Sequence, residues 1–265
     1  MIPAPVRYVR AGSVEDALAA LAEPDAKALA GGQSLVSVMK LRIARPSLVV
    51  DIGRLELAGL ELQENELRIG ALTTWSDLAA APELRRPALA GIAECAAGIG
   101  DLQVRNRGTI GGSLAHADPA SDMPAVLLAL GALFVARSAG GERAIAAGEL
   151  VLGPFTTSLA EGELLTEVVV PLPPAGSGSA YASVEHPASG FALAGAAALV
   201  RPDGSTSVAV TGVGSAPFVV DGDSLDGAEI FGDRFAPVAY RRHLAGVVVR
   251  RALASAAARA REDLS

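Results

Sequence analysis

Two glycine-containing segments carry the residue types best suited to chemistry. Leu29-Ala30-Gly31-Gly32-Gln33-Ser34-Leu35 follows a short apolar run and precedes residues 36–41, whose spacing predicts a helix. A strand that enters a helix through Gly-Gly leaves backbone N–H groups free, and without Cβ atoms in the way a diphosphate can approach them closely. Ser34 adds a hydroxyl donor. An ordinary tight turn with Ser34 as N-cap accounts for the same residues. The second segment, Arg105-Asn106-Arg107-Gly108-Thr109-Ile110-Gly111-Gly112-Ser113-Leu114, repeats the Gly-Gly-Ser pattern after an apolar approach. A fold that brings the two loops together can hold one dinucleotide from two sides. Just beyond lie His116, Asp118, Ser121 and Asp122. Ser121 or Asp122 suits the cap of a helix beginning near Pro124, and Asp122 suits a ligand contact equally well.

Other chemistry has little to stand on. His116, His186 and His243 lack metal-ligand spacing, and neither a G-x-S-x-G elbow nor an H-E-x-x-H pair occurs. No catalytic side chain and no metal ligand is therefore assigned, and only His116 lies beside a glycine loop. The single cysteine, Cys95, excludes an internal disulfide and any all-cysteine iron–sulfur or zinc site built by this chain alone. It reads as a small buried hydrophobe.

The elements that must position these loops follow from periodicity. Short β-branched runs at 48–52 and 67–69 alternate with helical stretches, one of them at 13–21 behind a Ser13 N-cap with Asp16 three residues on. Residues 125–136 read as a buried helix running into a strand, being far short of the ~20 apolar residues needed to cross a bilayer. The chain breakers at 171–180 mark a domain boundary. Beyond it, 191–201 and 207–212 read as an antiparallel pair joined by the turn Arg201-Pro202-Asp203-Gly204, and 239–261 as a C-terminal helix. The division expected is 1–172 in two parts (about 1–54 and 55–172), a linker at 173–180 and a C-terminal domain at 181–265.

Composition sets outer limits. Against 29 acidic residues stand 22 Lys+Arg, a formal charge of −7 with 4% aromatics, which argues against a nucleic-acid surface or a base-stacking platform. The N-terminus, Met1-Ile2-Pro3-Ala4-Pro5, lacks the charged and apolar regions of a signal peptide, so a cytoplasmic location is expected.

The strings AGGQSLVSVMKLRIARPSLVVDI, IGALTTW and IGDLQVRNRGTIGGSLAHADPASDMPAVLLALGA resemble the medium, FAD-binding subunit of molybdenum hydroxylases of the aerobic carbon monoxide dehydrogenase and xanthine dehydrogenase type. GELLTEVVVPLPP, PASGFALAGAAAL, VTGVG and YRRHLAGVVVRRAL continue the resemblance in the family's order. It implies an α+β chain: a bipartite FAD-binding fold of the vanillyl-alcohol oxidase type, followed by a small C-terminal domain of antiparallel strands and helices. It places Ala30, Gly31, Gly32, Gln33, Ser34 and Leu35 on the FAD diphosphate, together with Thr109, Ile110, Gly111, Gly112 and Ser113. By the same resemblance Asp122 contacts the cofactor, Leu165 lines the adenine side and Phe191 lies beside the isoalloxazine.

The implied activity is electron transfer. A molybdenum-cofactor large subunit oxidises the substrate, a small subunit with two [2Fe-2S] clusters relays electrons, and this chain passes them through FAD to a terminal acceptor, in a dimer of heterotrimers. The lone cysteine agrees, since the clusters must sit on another chain. Two departures stand out. Ser183 follows Ala180-Tyr181-Ala182 where relatives commonly carry a lysine, and the interval from Val213 to Tyr240 is shorter than in the family. Two other readings of the same fold remain: a stand-alone flavin oxidase or reductase, which requires a substrate-sized pocket with an acid or base facing the ring, and a non-catalytic flavin-binding module.

Overall fold

A computed structural model describes residues 2–262. The chain opens with β1 (Arg7–Arg10), α1 (Val14–Leu21), β2 (Ala26–Leu29), α2 (Leu35–Lys40) and β3 (Leu48–Asp51). The three strands form a parallel sheet in the order β1-β3-β2. Central β3 is apolar and buried through Leu48, Val49 and Val50, as a strand paired on both edges and covered on its faces should be. Ser13 caps α1 as its sequence predicts, its hydroxyl accepting from the N–H of Asp16 at 3.0 Å.

The middle of the chain supplies β4 (Leu60–Leu62), β5 (Glu66–Gly70), α3 (Trp75–Ala80), α4 (Ala90–Gly98), α5 (Leu102–Arg105), α6 (Ile110–His116), α7 (Met123–Ala129), β6 (Leu133–Ser138), β7 (Gly141–Ala146), α8 (Ala147–Leu150), the small hairpin β8 (Val151–Gly153) and β9 (Thr156–Thr157), and β10 (Leu164–Pro171). Five of these strands make an antiparallel sheet in the order β4-β5-β10-β6-β7. The alternation of β5 drives Leu67 and Ile69 into the core, while Arg68 on the other face bonds Glu66 and Glu167, each at 2.7 Å. Leu78, Ile92, Ile110, Leu114, Met123 and Leu127 pack from the helices onto Leu67, Ile69 and Phe134 of this sheet. The buried helix expected to run into a strand is α7 followed by β6, the turn between them passing through Gly131 at a φ of 68°.

The last part comprises β11 (Gly178–Glu185), β12 (Ala192–Val200), β13 (Thr206–Thr211), β14 (Phe218–Val220) and α9 (Val238–Glu262). The strands pair antiparallel in chain order, including the expected β12–β13 hairpin, whose turn closes with Gly204 N–H donating to the Arg201 carbonyl at 2.9 Å. α9 lays Leu244, Ala245, Val248, Val249, Ala252 and Ala256 against Ala194, Ala196, Ala198, Val208 and Val210 of the sheet. Small residues on both sides let helix and sheet approach closely.

One boundary differs from the expectation. β11 begins at Gly178, inside the stretch 173–180 read as linker. Gly178 serves close approach rather than flexibility, because a Cβ there would lie 2.2 Å from the Ala256 carbonyl oxygen of α9. Between Val213 and α9 the chain forms β14 and otherwise irregular structure, with no helix among these described residues.

Candidate cofactor site

The two glycine loops meet. A Cβ on Gly31 would stand 1.8 Å from the carbonyl oxygen of Arg107 and 3.0 Å from the Cα of Gly108, and one on Gly112 would stand 3.6 Å from the Cβ of Ala30. The first loop runs from the end of β2 into α2, and Gly32 turns it at a φ of 76°, a left-handed conformation that glycine adopts without penalty. Among the described residues no protein group accepts a hydrogen bond from the N–H of Gly32, Gln33, Ser34 or Leu35. Ser34 stands at the N-cap position of α2 but makes no side-chain cap bond. The plain serine cap is therefore not what this turn uses, and its hydroxyl and four successive amides form an open cradle for an anion.

The second loop differs from the expectation of free amides. Ile110 N–H donates to the Thr73 carbonyl at 3.0 Å, Gly111 N–H to Ala71 at 2.9 Å and Ser113 N–H to Thr109 at 3.1 Å. Thr109 caps α6, its hydroxyl accepting from Gly112 N–H at 3.2 Å. Gly111 is glycine because Ala71 fills the space: a Cβ would lie 2.5 Å from that of Ala71. The segment Ala71–Trp75 is the anchor, since Trp75 N–H also bonds the Gly108 carbonyl at 3.1 Å and Thr74 bridges Thr109. This loop thus contributes shape, the Thr109 and Ser113 hydroxyls and the close approach at Gly112. Removing the cap with Thr109→Ala is expected to cost about 1 kcal/mol, measured by urea denaturation.

Asp122 occupies the N-cap position of α7 but its side chain does not cap, and neither does Ser121, whose hydroxyl lies 3.0 Å from that of Ser113. The Asp122 carboxylate instead accepts a hydrogen bond from the Tyr181 hydroxyl, reaching across to β11. Burial, reinforced by the negative charges of Glu185 and Asp118, pushes this carboxyl up to about 6 against the pull of the Tyr181 bond. Burial and Asp122 likewise push the Tyr181 hydroxyl well up, and burial does the same to the Cys95 thiol. Sequence reasoning does not single out Tyr181 as a site residue; its one signal is a lone aromatic in a small-residue strand. Gly195 makes room for it, since a Cβ there would meet the Tyr181 hydroxyl at 2.1 Å.

The remaining site residues divide. Phe191 is exposed on the turn between β11 and β12 and lines a cavity of about 390 Å³ with Asp118, Ala120, His186, Phe235 and Arg241. Leu165 is enclosed at 4% exposure on β10, a core residue that is not brought to the surface of the loops. His116 lies beside Phe155, ring centres 5.2 Å apart and ring planes tilted by 53°. Ser183 bonds weakly to Glu185, at 3.5 Å, so no cation stands at that position. Among the described residues no cluster of His, Cys, Asp and Glu could hold a metal, and no helix is long and apolar enough to cross a membrane. An open amide cradle, a left-handed glycine and hydroxyls from a second loop in direct contact with it together fit the diphosphate of a dinucleotide.

Comparison with known proteins points the same way. The family described as the FAD binding domain in molybdopterin dehydrogenase matches residues 4–173. The chain is 46% identical over 206 residues to the 6-hydroxypseudooxynicotine dehydrogenase complex subunit alpha of Paenarthrobacter nicotinovorans, covering 77% of this chain and 69% of that protein. It is 35% identical to the carbon monoxide dehydrogenase medium chain of Afipia carboxidovorans, across 98% of this chain and 100% of the other. A solved carbon monoxide dehydrogenase from Hydrogenophaga pseudoflava superposes with a TM-score of 0.92 at 36% identity, covering 98% of this chain and 99% of that one. The chain belongs to the family of FAD binding domains in molybdopterin dehydrogenases.

Proposed function

We propose that the chain is the FAD-binding electron-transfer subunit of a heteromeric molybdenum hydroxylase. Residues 30–35 and 109–113 hold the FAD diphosphate, Asp122 stands beside the cofactor, and Phe191 flanks the isoalloxazine. Leu165 backs the adenine side from within the core. The single observation that carries this reading is the contact between the two glycine loops, with the unpaired amides of residues 32–35 beside it. Residues 1–172 form the FAD-binding part, read as a bipartite fold of the vanillyl-alcohol oxidase type divided near residue 54, and residues 181–265 form the C-terminal domain.

When bound, FAD supplies storage for two electrons that can be taken up singly, and the protein supplies orientation and electrostatics. Electrons arrive from the [2Fe-2S] clusters of a small subunit, reduced in turn by a molybdenum-cofactor large subunit, and leave for a terminal acceptor. The assembly is a dimer of heterotrimers in the cytoplasm. A match that runs the full length of a medium chain favours this over a stand-alone oxidase.

The test is the absorption spectrum of the chain purified natively with its companions, followed by mass identification of co-eluting chains. Flavin bands with an iron–sulfur partner are expected. A flavin-containing homo-oligomer alone would sink the electron-relay reading, and no flavin even after FAD addition would sink the loop assignment.

A further inference from the structure

Among the described residues Arg241, in the first turn of α9, is the one buried arginine. Its Nη1 donates to the Leu193 carbonyl at 2.9 Å and to the Gly212 carbonyl, and its Nη2 donates to Asp233 Oδ2 at 2.6 Å. Asp233 is itself fixed, Oδ1 accepting from the N–H groups of Phe235 and Ala236 at 2.8 and 2.9 Å. One guanidinium therefore ties together the start of β12, two residues past Phe191, the Gly212 turn that follows β13 and the irregular segment before α9. These three segments wall the 390 Å³ cavity.

The tie extends to the FAD-binding part. Gly212 N–H donates to the Pro119 carbonyl at 3.2 Å, and the Thr211 hydroxyl donates to the Ser121 carbonyl at 2.7 Å, next to Asp122. Along the cavity wall Phe191, Phe231 and Phe235 each keep about half their surface exposed, so apolar rings are held at water by polar anchoring from behind. A buried guanidinium is costly, and Nε here has no protein acceptor among the described residues. The guanidinium, with five N–H donors in a rigid planar fork, spans two carbonyls and a carboxylate at once.

We propose that Arg241 is a positioning residue for the flavin ring, fixing the Phe191 turn and the Gly212 turn at the separation the ring requires. The inference rests on the reading of Phe191 as the residue beside the isoalloxazine.

In the purified complex, Arg241→Met is expected to keep its FAD content, because the diphosphate loops lie in another part of the fold. The visible circular dichroism of its flavin should change. Reoxidation of dithionite-reduced flavin by a soluble dye should slow about tenfold, since displacement by about 1 Å can cost more than that. Arg241→Lys, whose ammonium reaches fewer acceptors, should fall between the two. Unaltered dichroism and reoxidation in Arg241→Met would overturn the inference, whatever happens to its melting temperature. If Arg241→Met does not assemble, Asp233→Asn keeps both carbonyl bonds and removes the ion pair: altered dichroism supports the role, and wild-type dichroism overturns it. Absence of FAD from the wild-type complex would overturn the reading of the glycine loops, and this inference with it.

Discussion

Gly31→Ala is expected to abolish FAD retention and to destabilise the protein by about 3 kcal/mol or more, an effect at the upper end for one added methyl group. The added carbon would fall 1.8 Å from the Arg107 carbonyl oxygen and 2.6 Å from its carbonyl carbon. Both are main-chain atoms that cannot rotate away, so the two loops must separate. Gly32→Ala makes a useful contrast. There the nearest atom is a methyl of Val36 at 3.2 Å, and the cost is the left-handed conformation, about 1–2 kcal/mol. Denaturation curves and FAD content of the two variants, measured side by side, should show the larger stability loss at Gly31 and impaired flavin retention at both. Equal, small losses of stability would mean that the loops do not meet as described.

Replacing Asp122 with asparagine should stabilise the fold at pH 8 while weakening the hold on FAD. A carboxyl raised from 3.8 to about 6 binds its proton more tightly in the folded chain than in the unfolded one. Its contribution is therefore fully present below pH ~4, declines as the pH rises toward about 6, and is lost above that, by about 3 kcal/mol in total. The side-chain amide of the variant would keep an acceptor for the Tyr181 hydroxyl and escape the cost of burying a charge. Stability of Asp122→Asn at pH 8 should thus rise by about 2–3 kcal/mol, and the decline between pH 4 and 6 should flatten. FAD affinity should move the other way, by the ~1.5–3 kcal/mol of a hydrogen bond to a charged group. Urea titrations at pH 4.5 and 8 and FAD titration of the apoprotein check both signs. An unchanged slope with pH would show that Asp122 does not carry the cost, and unchanged FAD affinity would remove it from the site. A carboxylate kept at the expense of stability is what a functional position looks like.

Much of this is legible in the residues. The Ser13 cap, the α7-to-β6 passage, the β12–β13 hairpin and α9 depend on neighbours within one or two turns of chain, so periodicity and capping residues suffice to place them. The Gly-Gly-Ser segments are legible as loops for the same reason, and strings spread along most of the chain carry the family resemblance. Gly178 misleads because the same residue type serves a flexible linker and a close helix contact, and only the passage of Ala256 past it decides which.

What the amino-acid sequence determined by itself is local: which segments are helix, strand or glycine turn, and which chemistry those turns are able to perform. The tertiary structure alone decided how the work is divided. It left the amides of residues 32–35 open while spending those of Ile110 and Gly111 on Thr73 and Ala71. It converted Asp122 from a helix cap to the partner of a tyrosine 59 residues away, and made Arg241 a clamp on carbonyls 48 and 29 residues distant. Hydrogen-bond donors and acceptors are present at nearly every residue, so their identity restricts the choice of partner very little; that choice is made by packing, which brings distant backbone within about 3 Å or keeps it out.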